Sequence, residues 1–398
     1  MLLDGKMLER GRNMSAYKKL ETAAVHAGRA IDAATGALVL PIHLSTTYER
    51  EPDGTYPRGY AYTTFNNPNR AWLEDAITEL EGGAAAVSTS SGMGAIASIL
   101  SALKPSERVI VSYDLFQGTA RLVNDQLRQW GIEADVVDTT QIDQIQAAIR
   151  PETRMIWIDT PSNPLMRVTD IARVVEIARG RGIYVVVDST FATFVLQRPL
   201  DLGADVAVYA ATKYIGGHND VVSGLAVFRE KEHLYTRARA FQINVGVTPS
   251  PFDCWLVHRG LQTLPYRMHA HSQNALAVAR FLEGHLRVEQ VYYPGLASND
   301  GWAVAQHQMP FGCGGMLSVS IKGGREAALS TAARVKLFRR AASLGGVESL
   351  IEHRASSPIQ TSGQGTGFRL PDDLLRLSVG IEHREDLIRD LEQALAYA

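Results

Sequence analysis

Residues 183–220 read IYVVVDSTFATFVLQRPLDLGADVAVYAATKYIGGHND, and this stretch decides the fold. Two runs of mostly β-branched or apolar residues, IYVVVDS and DVAVYA, predict two short strands joined by a turn-rich connection. Asp188 closes the first strand, and Lys213 follows the second within a turn. Ligands of open α/β sheets bind beyond the carboxyl ends of the strands. We therefore expect both side chains to face one crevice.

The same alternation of strands and helices extends over residues 70–230. Helical patterns there separate four more strand candidates, which are AAAVST (84–89), RVIVSY (108–113), ADVVD (134–138) and MIWIDT (155–160). This order is typical of an α/β fold in which helices cover both faces of a parallel sheet.

The two ends of the chain have a different pattern. Residues 1–65 are rich in turn formers and polar residues, which predicts an irregular arm that contacts a neighbouring subunit. After an α/β domain over 66–252, residues 253–398 are expected to form a smaller α+β domain. That segment combines long helical stretches such as HAHSQNALAVARFLEGHL (269–286) with two strand candidates, GGMLSVSI (314–321) and LLRLSVGI (374–381).

The composition excludes several classes of partner. A formal net charge of −2 and a pI near 6.6 leave no basic excess, so nucleic acid is not an expected partner. No run of about 18 consecutive apolar residues occurs, so we expect no membrane span. The first fifteen residues lack the apolar core of a signal peptide, and we expect a cytoplasmic protein. Cys254 and Cys313 have no metal-ligand spacing, and we expect reduced thiols and no metal site.

Lys213 is the first candidate for chemistry. A lysine beside a strand end is commonly a solvated cap, but Gly216 and Gly217 follow it and permit close approach of a ligand to the backbone. A desolvated lysine loses its proton readily and can act as nucleophile and base.

The segment STSSGMGAIASIL (88–100) predicts an anion site. It places Ser91, Gly92 and Met93 between a strand and a helix, where free N–H groups and the helix dipole attract phosphate. The same residues fit a dinucleotide fingerprint, because GMGAIA is a G-x-G-x-x-A and Asp114 ends the next strand. A nicotinamide-dependent oxidoreductase is therefore an alternative. It leaves Lys213 and Asp188 unexplained, whereas pyridoxal phosphate (PLP) would use both together with the anion site.

Arg376 lies within the apolar run DLLRLSVGI and needs an anion there. This anion is either an acidic side chain in a structural salt bridge or the carboxylate of a substrate, which arginine binds in bidentate fashion. Asn163, in DTPSNP, also follows a strand, where it is either a turn residue or a contact to the cofactor.

Eight segments together resemble the Cys/Met-metabolism family of PLP enzymes, which have fold type I. The similarity runs nearly end to end. Its segments are TAAVHAGR (22–29), LPIHLSTTY (40–48), SSGMGAI (90–96), DTPSNPL (159–165), VVVDSTFAT (185–193), ATKYIGGHNDVVSG (211–224), SLGGVESL (343–350) and LRLSVGIEHREDLIRDLEQAL (375–395).

The resemblance implies roles for individual residues. Lys213 would carry PLP as a Schiff base, Asp188 would pair with the pyridinium nitrogen, and Phe116 would stack on the ring. The family forms homotetramers, arranged as dimers of dimers, in which Tyr62 belongs to the arm that completes a neighbour's site. The implied cofactor contacts are Ser91, Gly92, Met93, Phe116, Asp188, Thr190, Thr212, Lys213 and Tyr62. The implied contacts to the substrate carboxylate are Asn163, Ser343 and Arg376.

The chain departs from the family's pattern at several of these positions. Thr64 replaces the arm's phosphate-binding arginine, and Ala210 replaces a phosphate-binding serine, so that PLP would be held less tightly unless Arg58 or Arg70 compensates. Phe116 replaces a tyrosine and cannot transfer a proton. Two further departures are Ala342, which replaces a glutamate that helps read the distal amino group of cystathionine, and Arg354, which replaces a proline near the pocket mouth.

The implied reaction is γ-elimination or γ-replacement on a γ-substituted, homoserine-type amino acid. Phe116 and Ala342 favour an oxygen-linked leaving group, as in O-acylhomoserine or a canavanine-type O-guanidino homoserine. The alternatives are a methionine or cystathionine γ-lyase, a C–S lyase like cystathionine β-lyase, the nicotinamide-dependent oxidoreductase, and a non-catalytic binding protein.

Overall fold

A computed structural model describes residues 19–356 and 369–396, and its larger sheet has seven strands. Their order is β1-β7-β6-β5-β4-β2-β3. β7 runs antiparallel to both of its neighbours, while the other pairs are parallel. The strands are β1 (Ala85–Thr89), β2 (Arg108–Ser112), β3 (Glu133–Val137), β4 (Thr153–Asp159), β5 (Tyr184–Asp188), β6 (Val206–Tyr209) and β7 (Gly224–Phe228).

Helices cover both faces of this sheet because the strands are apolar on both sides. On one face Val87 and Val111 pack with Ile96 from the helix after β1, and on the other Ile110 and Val185 pack with helical residues such as Val174. The helices of this part are α1 (Leu20–His26), α2 (Pro68–Glu81), α3 (Gly92–Leu100), α4 (Gln117–Arg121) with a π-helical extension (Leu122–Leu127), α5 (Ile142–Ala148), α6 (Ile171–Ala178), α7 (Thr193–Leu196) and α8 (His233–Val245).

The C-terminal part contains a five-stranded sheet in the order β10-β11-β12-β9-β8. β11 and β12 are antiparallel, and Glu352 lies directly opposite Arg376 in their register. The strands are β8 (Val288–Tyr292), β9 (Met316–Ile321), β10 (Arg339–Arg340), β11 (Leu350–His353) and β12 (Leu374–Ser378). The helices are α9 (Pro251–Leu261), α10 (Leu264–Glu283), α11 (Trp302–Gln308), α12 (Gly324–Arg334) and α13 (Arg384–Leu395), with a 3-10 turn at Arg354–Ser356.

The predicted α/β fold is confirmed, and the larger sheet is mostly parallel. β7 is the exception to the parallel order, because it reverses direction between β1 and β6. The expectation that residues 1–65 are irregular needs correction. α1 is helical and buries Ala24 in the core, although residues 1–18 lie outside the described part of the chain. The domain boundaries remain predictions.

Two further findings concern membranes and cysteines. Within the described residues, none of the helices combines the length and the apolar character needed to cross a membrane. Cys254 and Cys313 are both buried and unpaired, as expected.

Candidate active site

The carboxyl ends of three adjacent strands meet at one edge of the larger sheet. Asp159 ends β4 and Asp188 ends β5, and the two residues are partners in the register of these strands. Lys213 lies in the turn after β6, which pairs with β5. The predicted proximity of Asp188 and Lys213 at this edge follows from the strand order.

Lys213 is half-buried and reaches toward the C-terminal part of the chain. Its Nζ atom donates a hydrogen bond of 2.8 Å to the Oγ atom of Ser343. Burial, together with the positive charges of Arg376 and Arg354, lowers the pKa of Lys213 to about 8, and the negative charge of Glu352 opposes this shift. The amine is therefore uncharged over a pH range in which an ordinary lysine carries its proton.

Ser343 joins the lysine to the buried arginine. Its backbone carbonyl oxygen accepts a hydrogen bond of 3.0 Å from Nη2 of Arg376, while its side chain binds Lys213. The residue has a φ of 81°, in the left-handed region that L-residues other than glycine rarely adopt. The site thus holds Ser343 in a strained backbone conformation, as is common for residues at functional sites.

Arg376 lies on β12 and is only 3% exposed. Nη1 donates to Oδ1 of Asn163 at 3.2 Å, and Nη2 also binds Oε2 of Glu352 at 2.6 Å. Both explanations of this arginine therefore find support in the geometry. A structural salt bridge to Glu352 exists, and the three residues expected to bind a substrate carboxylate lie together. Among residues 19–356 and 369–396, the Nε atom of Arg376 has no hydrogen-bond partner, which leaves a donor for a ligand.

Asp188 and Asp159 form a pair of neighbouring carboxylates. Oδ1 of Asp188 accepts from the backbone N–H of Thr190 at 3.0 Å, and burial raises the pKa of Asp188. Asp159 accepts from the backbone N–H of Phe116 at 2.7 Å and from Nε1 of Trp157 at 2.8 Å. Burial and the charge of Asp188 raise the pKa of Asp159. A protonated pyridine nitrogen beside Asp188 would supply a cation to this acidic pair.

The N-terminus of α3 fits the predicted anion site. Ser91 caps the helix, because its Oγ atom accepts from the N–H of Gly94 at 3.1 Å. A Cβ atom on Gly92 would lie 2.8 Å from Cβ of Ala210, so only glycine fits at the start of this helix. Thr190 Oγ1 accepts from the N–H of Ala210 at 2.9 Å, which brings β5, β6 and α3 together at the site.

Two other predicted cofactor contacts lie at this edge. Thr212 exchanges hydrogen bonds with Ser223, at 3.2 Å and 3.0 Å, and so anchors the turn before Lys213. The Phe116 ring is 39% exposed, and a Cβ atom on Gly118 would meet both this ring and the sulfur of Met93. Phe116 and Met93 therefore form a partly exposed apolar surface next to Asp159.

The contacts described for Tyr62 and Arg70 are with residues of the arm. Tyr62 is 48% exposed, and its described ring contact is with Phe65 rather than with the residues around Lys213. Arg70 is buried, and its Nη2 atom donates to the backbone oxygen of Thr64 at 3.2 Å. Arg58 is exposed. The role of Tyr62 toward a neighbouring subunit remains a prediction, and so does compensation by Arg58 or Arg70.

The residues at the sheet edge fit PLP and do not fit a dinucleotide. A partly buried lysine of lowered pKa, a carboxylate and a helix N-terminus match the aldehyde, the ring nitrogen and the phosphate. Asp114, which a dinucleotide would need for its ribose, is buried and occupied. Its two carboxylate oxygens accept from Ser112 and Ser162, each at 2.5 Å.

The sequence patterns did not identify Asp159 and Glu352 as residues of the site, and they did not indicate the charge interactions of Arg354. Asp159 could have been found, because it ends the strand MIWIDT at the same sheet edge as Asp188. Glu352 lies on β11, a strand of four residues that the pattern did not predict, and its position opposite Arg376 depends on that strand.

Known proteins resemble this chain over nearly its full length. The family model described as "Cys/Met metabolism PLP-dependent enzyme" matches residues 21–396. A cystathionine gamma-synthase of Mycobacterium tuberculosis is 46% identical over 375 residues, which cover 94% of this chain and 96% of that protein. A cystathionine beta-lyase of Coxiella burnetii is 40% identical, with coverages of 96% and 99%. The crystal structure of a cystathionine gamma synthase from Xanthomonas oryzae pv. oryzae, in complex with aminoacrylate and cysteine, has a TM-score of 0.90 and 42% identity over 95% of this chain and 98% of that one.

Proposed function

The chain belongs to the Cys/Met metabolism family of PLP-dependent enzymes, and we propose that it catalyses γ-elimination or γ-replacement on a homoserine-type amino acid with an oxygen-linked γ-substituent. Membership of this family identifies the chain as a PLP-dependent enzyme of the trans-sulfuration type. It excludes the two alternatives of a nicotinamide-dependent oxidoreductase and a non-catalytic binding protein. O-acylhomoserines are the proposed substrates, and a canavanine-type O-guanidino homoserine is a second member of the same chemical class.

One observation carries this proposal, namely that Ser343 holds both Lys213 and Arg376. Its side chain binds the amine and its carbonyl oxygen binds the guanidinium. An amino acid whose carboxylate binds Arg376 would present its Cα–H bond to the amine of Lys213. That amine has the lowered pKa that a base acting near neutral pH requires.

The proposed roles of the remaining residues follow from their positions. Asp188 would hold a proton on the ring nitrogen, Phe116 would stack on the ring, and the N–H groups at Gly92 and Met93 would bind phosphate. When bound, PLP supplies an electron sink for the negative charge that develops at Cα and Cβ. Lys213 would remove the Cα proton, release it and then, again uncharged, remove a proton from Cβ. The electron pair left at Cβ would expel the γ-substituent.

The oxygen-linked leaving group is inferred from what the pocket lacks. The side chain of Phe116 has no proton to donate, and Ala342 offers no carboxylate to a distal amino group. A carboxylate released from an O-acyl group departs with less need of a proton donor than a thiolate does, so O-acyl substrates suit a site in which Phe116 cannot donate a proton. Tyr62 of a neighbouring subunit would be the remaining proton donor.

A second candidate is C–S chemistry on cystathionine or methionine. It is favoured by the 46% identity to a protein named cystathionine gamma-synthase and by the 40% identity to one named cystathionine beta-lyase. Both reactions would use Lys213 to remove the Cα proton, so the two candidates differ in what happens at Cβ and Cγ.

We further propose a cytoplasmic homotetramer, arranged as a dimer of dimers, in which arms complete neighbouring sites. The support is a set of apolar side chains left exposed in the arm of the single chain, together with Tyr62. These side chains are Ile31, Leu38, Val39 and Leu44. Light scattering of the purified enzyme measures the subunit number, and a monomer with full activity would contradict this proposal.

The test of the reaction is a comparison of kcat/KM for O-acetylhomoserine, O-succinylhomoserine, canavanine, methionine and cystathionine. We expect an oxygen-linked substrate to give the highest value. Phe116→Tyr is the matched variant, since the added hydroxyl should improve turnover of cystathionine more than that of the O-linked substrates. If cystathionine or methionine is the best substrate of the unaltered enzyme, the inference from Phe116 and Ala342 is wrong.

A further inference from the structure

Arg354 is a charged residue of the site that the proposed reaction does not use. It lies in the 3-10 turn after β11 and is 3% exposed. Its positive charge lowers the pKa of Lys213, and burial followed by the charge of Arg376 lowers the pKa of Arg354 itself. Its ion-pair partner among the described residues is Glu352, at a distance of 3.6 Å between Nη1 and Oε2. Its Nε atom is buried and has no hydrogen-bond partner in the part of the chain that the structure describes. A guanidinium in this position is poorly compensated.

The same carboxylate oxygen of Glu352 serves two guanidinium groups. It lies 2.6 Å from Nη2 of Arg376 and 3.6 Å from Nη1 of Arg354, and all three side chains are 10% exposed or less. Two buried cations thus share one anion, which leaves the cluster with a charge of +1. Buried charges need partners, so the cluster is one anion short.

We propose that this cluster exchanges counter-ions when an amino acid binds. The α-carboxylate of the ligand takes the place of Glu352 on Arg376, and Glu352 moves to Arg354. The inference deepens the proposed function and rests on it in one respect, namely that Arg376 receives the α-carboxylate. After the exchange each guanidinium has its own carboxylate, and the charge of the cluster falls from +1 to zero.

The exchange gives Arg354 a positioning role. Without Arg354, a ligand that displaced Glu352 would leave a buried carboxylate with no partner, and Glu352 would therefore remain on Arg376 and compete with the ligand. The long distance between Glu352 and Arg354 fits a resting state in which this second pair has yet to close. The site would thereby favour ligands with an α-carboxylate over plain amines.

The test is a comparison of two ligands that differ in the carboxylate alone. L-norvaline and 1-butylamine share the amine and the alkyl chain, and neither carries a γ leaving group. Their dissociation constants are measured with the cofactor-loaded enzyme from the change in its visible absorption. The ratio of the two constants gives the contribution of the α-carboxylate to binding. Because no turnover is needed, the ratio is independent of the reaction that the enzyme catalyses.

We expect opposite changes from the two members of the ion pair. Arg354→Gln should lower the preference for norvaline about tenfold, and Glu352→Gln should raise it about tenfold, as is typical for loss of one charged hydrogen bond. The double variant should return toward the unaltered ratio, because no carboxylate is left to compete or to be stranded. Arg354→Lys preserves the charge and should retain most of the preference, which separates the proposed role from a folding defect.

Two results would overturn the exchange. An unchanged ratio of dissociation constants in Arg354→Gln would show that Glu352 does not need Arg354 as a partner when a ligand binds. A double variant as weak as Arg354→Gln would show that Arg354 contacts the ligand directly. Failure of every homoserine derivative as a substrate would defeat the proposed function and would leave the ratio test unaffected.

Discussion

Ser343 combines strain with a role at the site, and two substitutions separate these properties. Ser343→Ala and Ser343→Gly both remove the oxygen that binds Lys213 at 2.8 Å. Both keep the backbone carbonyl oxygen that accepts from Arg376. They differ in their tolerance of the φ of 81°, which glycine adopts freely and alanine does not. The difference in stability between the two variants therefore measures the backbone strain at residue 343. Their turnover, compared with that of the unaltered enzyme, measures the contribution of the hydrogen bond to Lys213.

The expected magnitudes follow from this geometry. An L-residue in the left-handed region costs roughly 1–2 kcal/mol, which glycine avoids. Glycine loses about 0.5–1 kcal/mol relative to alanine because its unfolded chain is more flexible. The net difference should favour Ser343→Gly over Ser343→Ala by about 0.5–1 kcal/mol. Loss of the hydrogen bond to Lys213 is worth about 0.5–1.5 kcal/mol in either variant, which corresponds to a fall in kcat of about three- to tenfold.

The assays are thermal unfolding of the cofactor-loaded proteins and steady-state turnover. Ser343→Gly should melt about 1 °C above Ser343→Ala, while both variants should show the same fall in kcat. Equal thermal midpoints would refute the inference of strain. Full turnover in either variant would refute the view that the Ser343 hydroxyl orients the amine of Lys213.

Three further predictions concern the lysine and the arginine. Lys213→Ala should abolish both turnover and the visible absorption band of the loaded enzyme, and retained activity would contradict the assignment of this residue as base and cofactor lysine. The rate at which the cofactor-free protein captures PLP should rise with pH and level off above a pH of about 8, because the amine of Lys213 is uncharged above its lowered pKa. If the rate still rises toward a pH of 10.5, the pKa of an ordinary lysine, burial does not lower the pKa of this amine. Arg376→Gln should raise KM for an O-acylhomoserine roughly 10- to 100-fold, from loss of charged hydrogen bonds worth about 1.5–3 kcal/mol, and a KM within twofold of that of the unaltered enzyme would place the carboxylate elsewhere.

Much of the sheet could be predicted because its strands are continuous apolar runs. The strand that carries Asp188 and the one that precedes Lys213 have this pattern, and their ends define the site. The sequence analysis does not predict β7 (Gly224–Phe228), β8 (Val288–Tyr292), β10 (Arg339–Arg340) or β11 (Leu350–His353). β7 reads GLAVF, an apolar run that could have indicated it. β11 has four residues, two of them polar, and so lacks a local signal that distinguishes it from loop.

The parts of the site that the pattern did not predict depend on contacts across strands. Arg376 was recognised as a buried cation in need of an anion, but Glu352 became its partner only through the register of β11 with β12. The buried position of Arg354 depends in the same way on the end of β11. Periodicity identifies a residue as buried and charged, whereas the identity of its partner depends on tertiary pairing.

The departures from the family's pattern are not spread evenly over the site. Lys213, Ser343, Arg376 and Asn163 are joined by hydrogen bonds of 2.8–3.2 Å, so the part that would handle Cα is intact. Four of the altered positions are expected at the phosphate, the ring face and the outer pocket, namely Thr64, Ala210, Phe116 and Ala342. The fifth, Arg354, is buried beside Glu352 and Arg376. In the proposed mechanism the first group abstracts the Cα proton. Phe116 and Ala342 would face the γ-substituent, and Thr64 and Ala210 would lie near the phosphate. We therefore expect this enzyme to differ from its relatives in leaving group and in cofactor affinity rather than in its first chemical step.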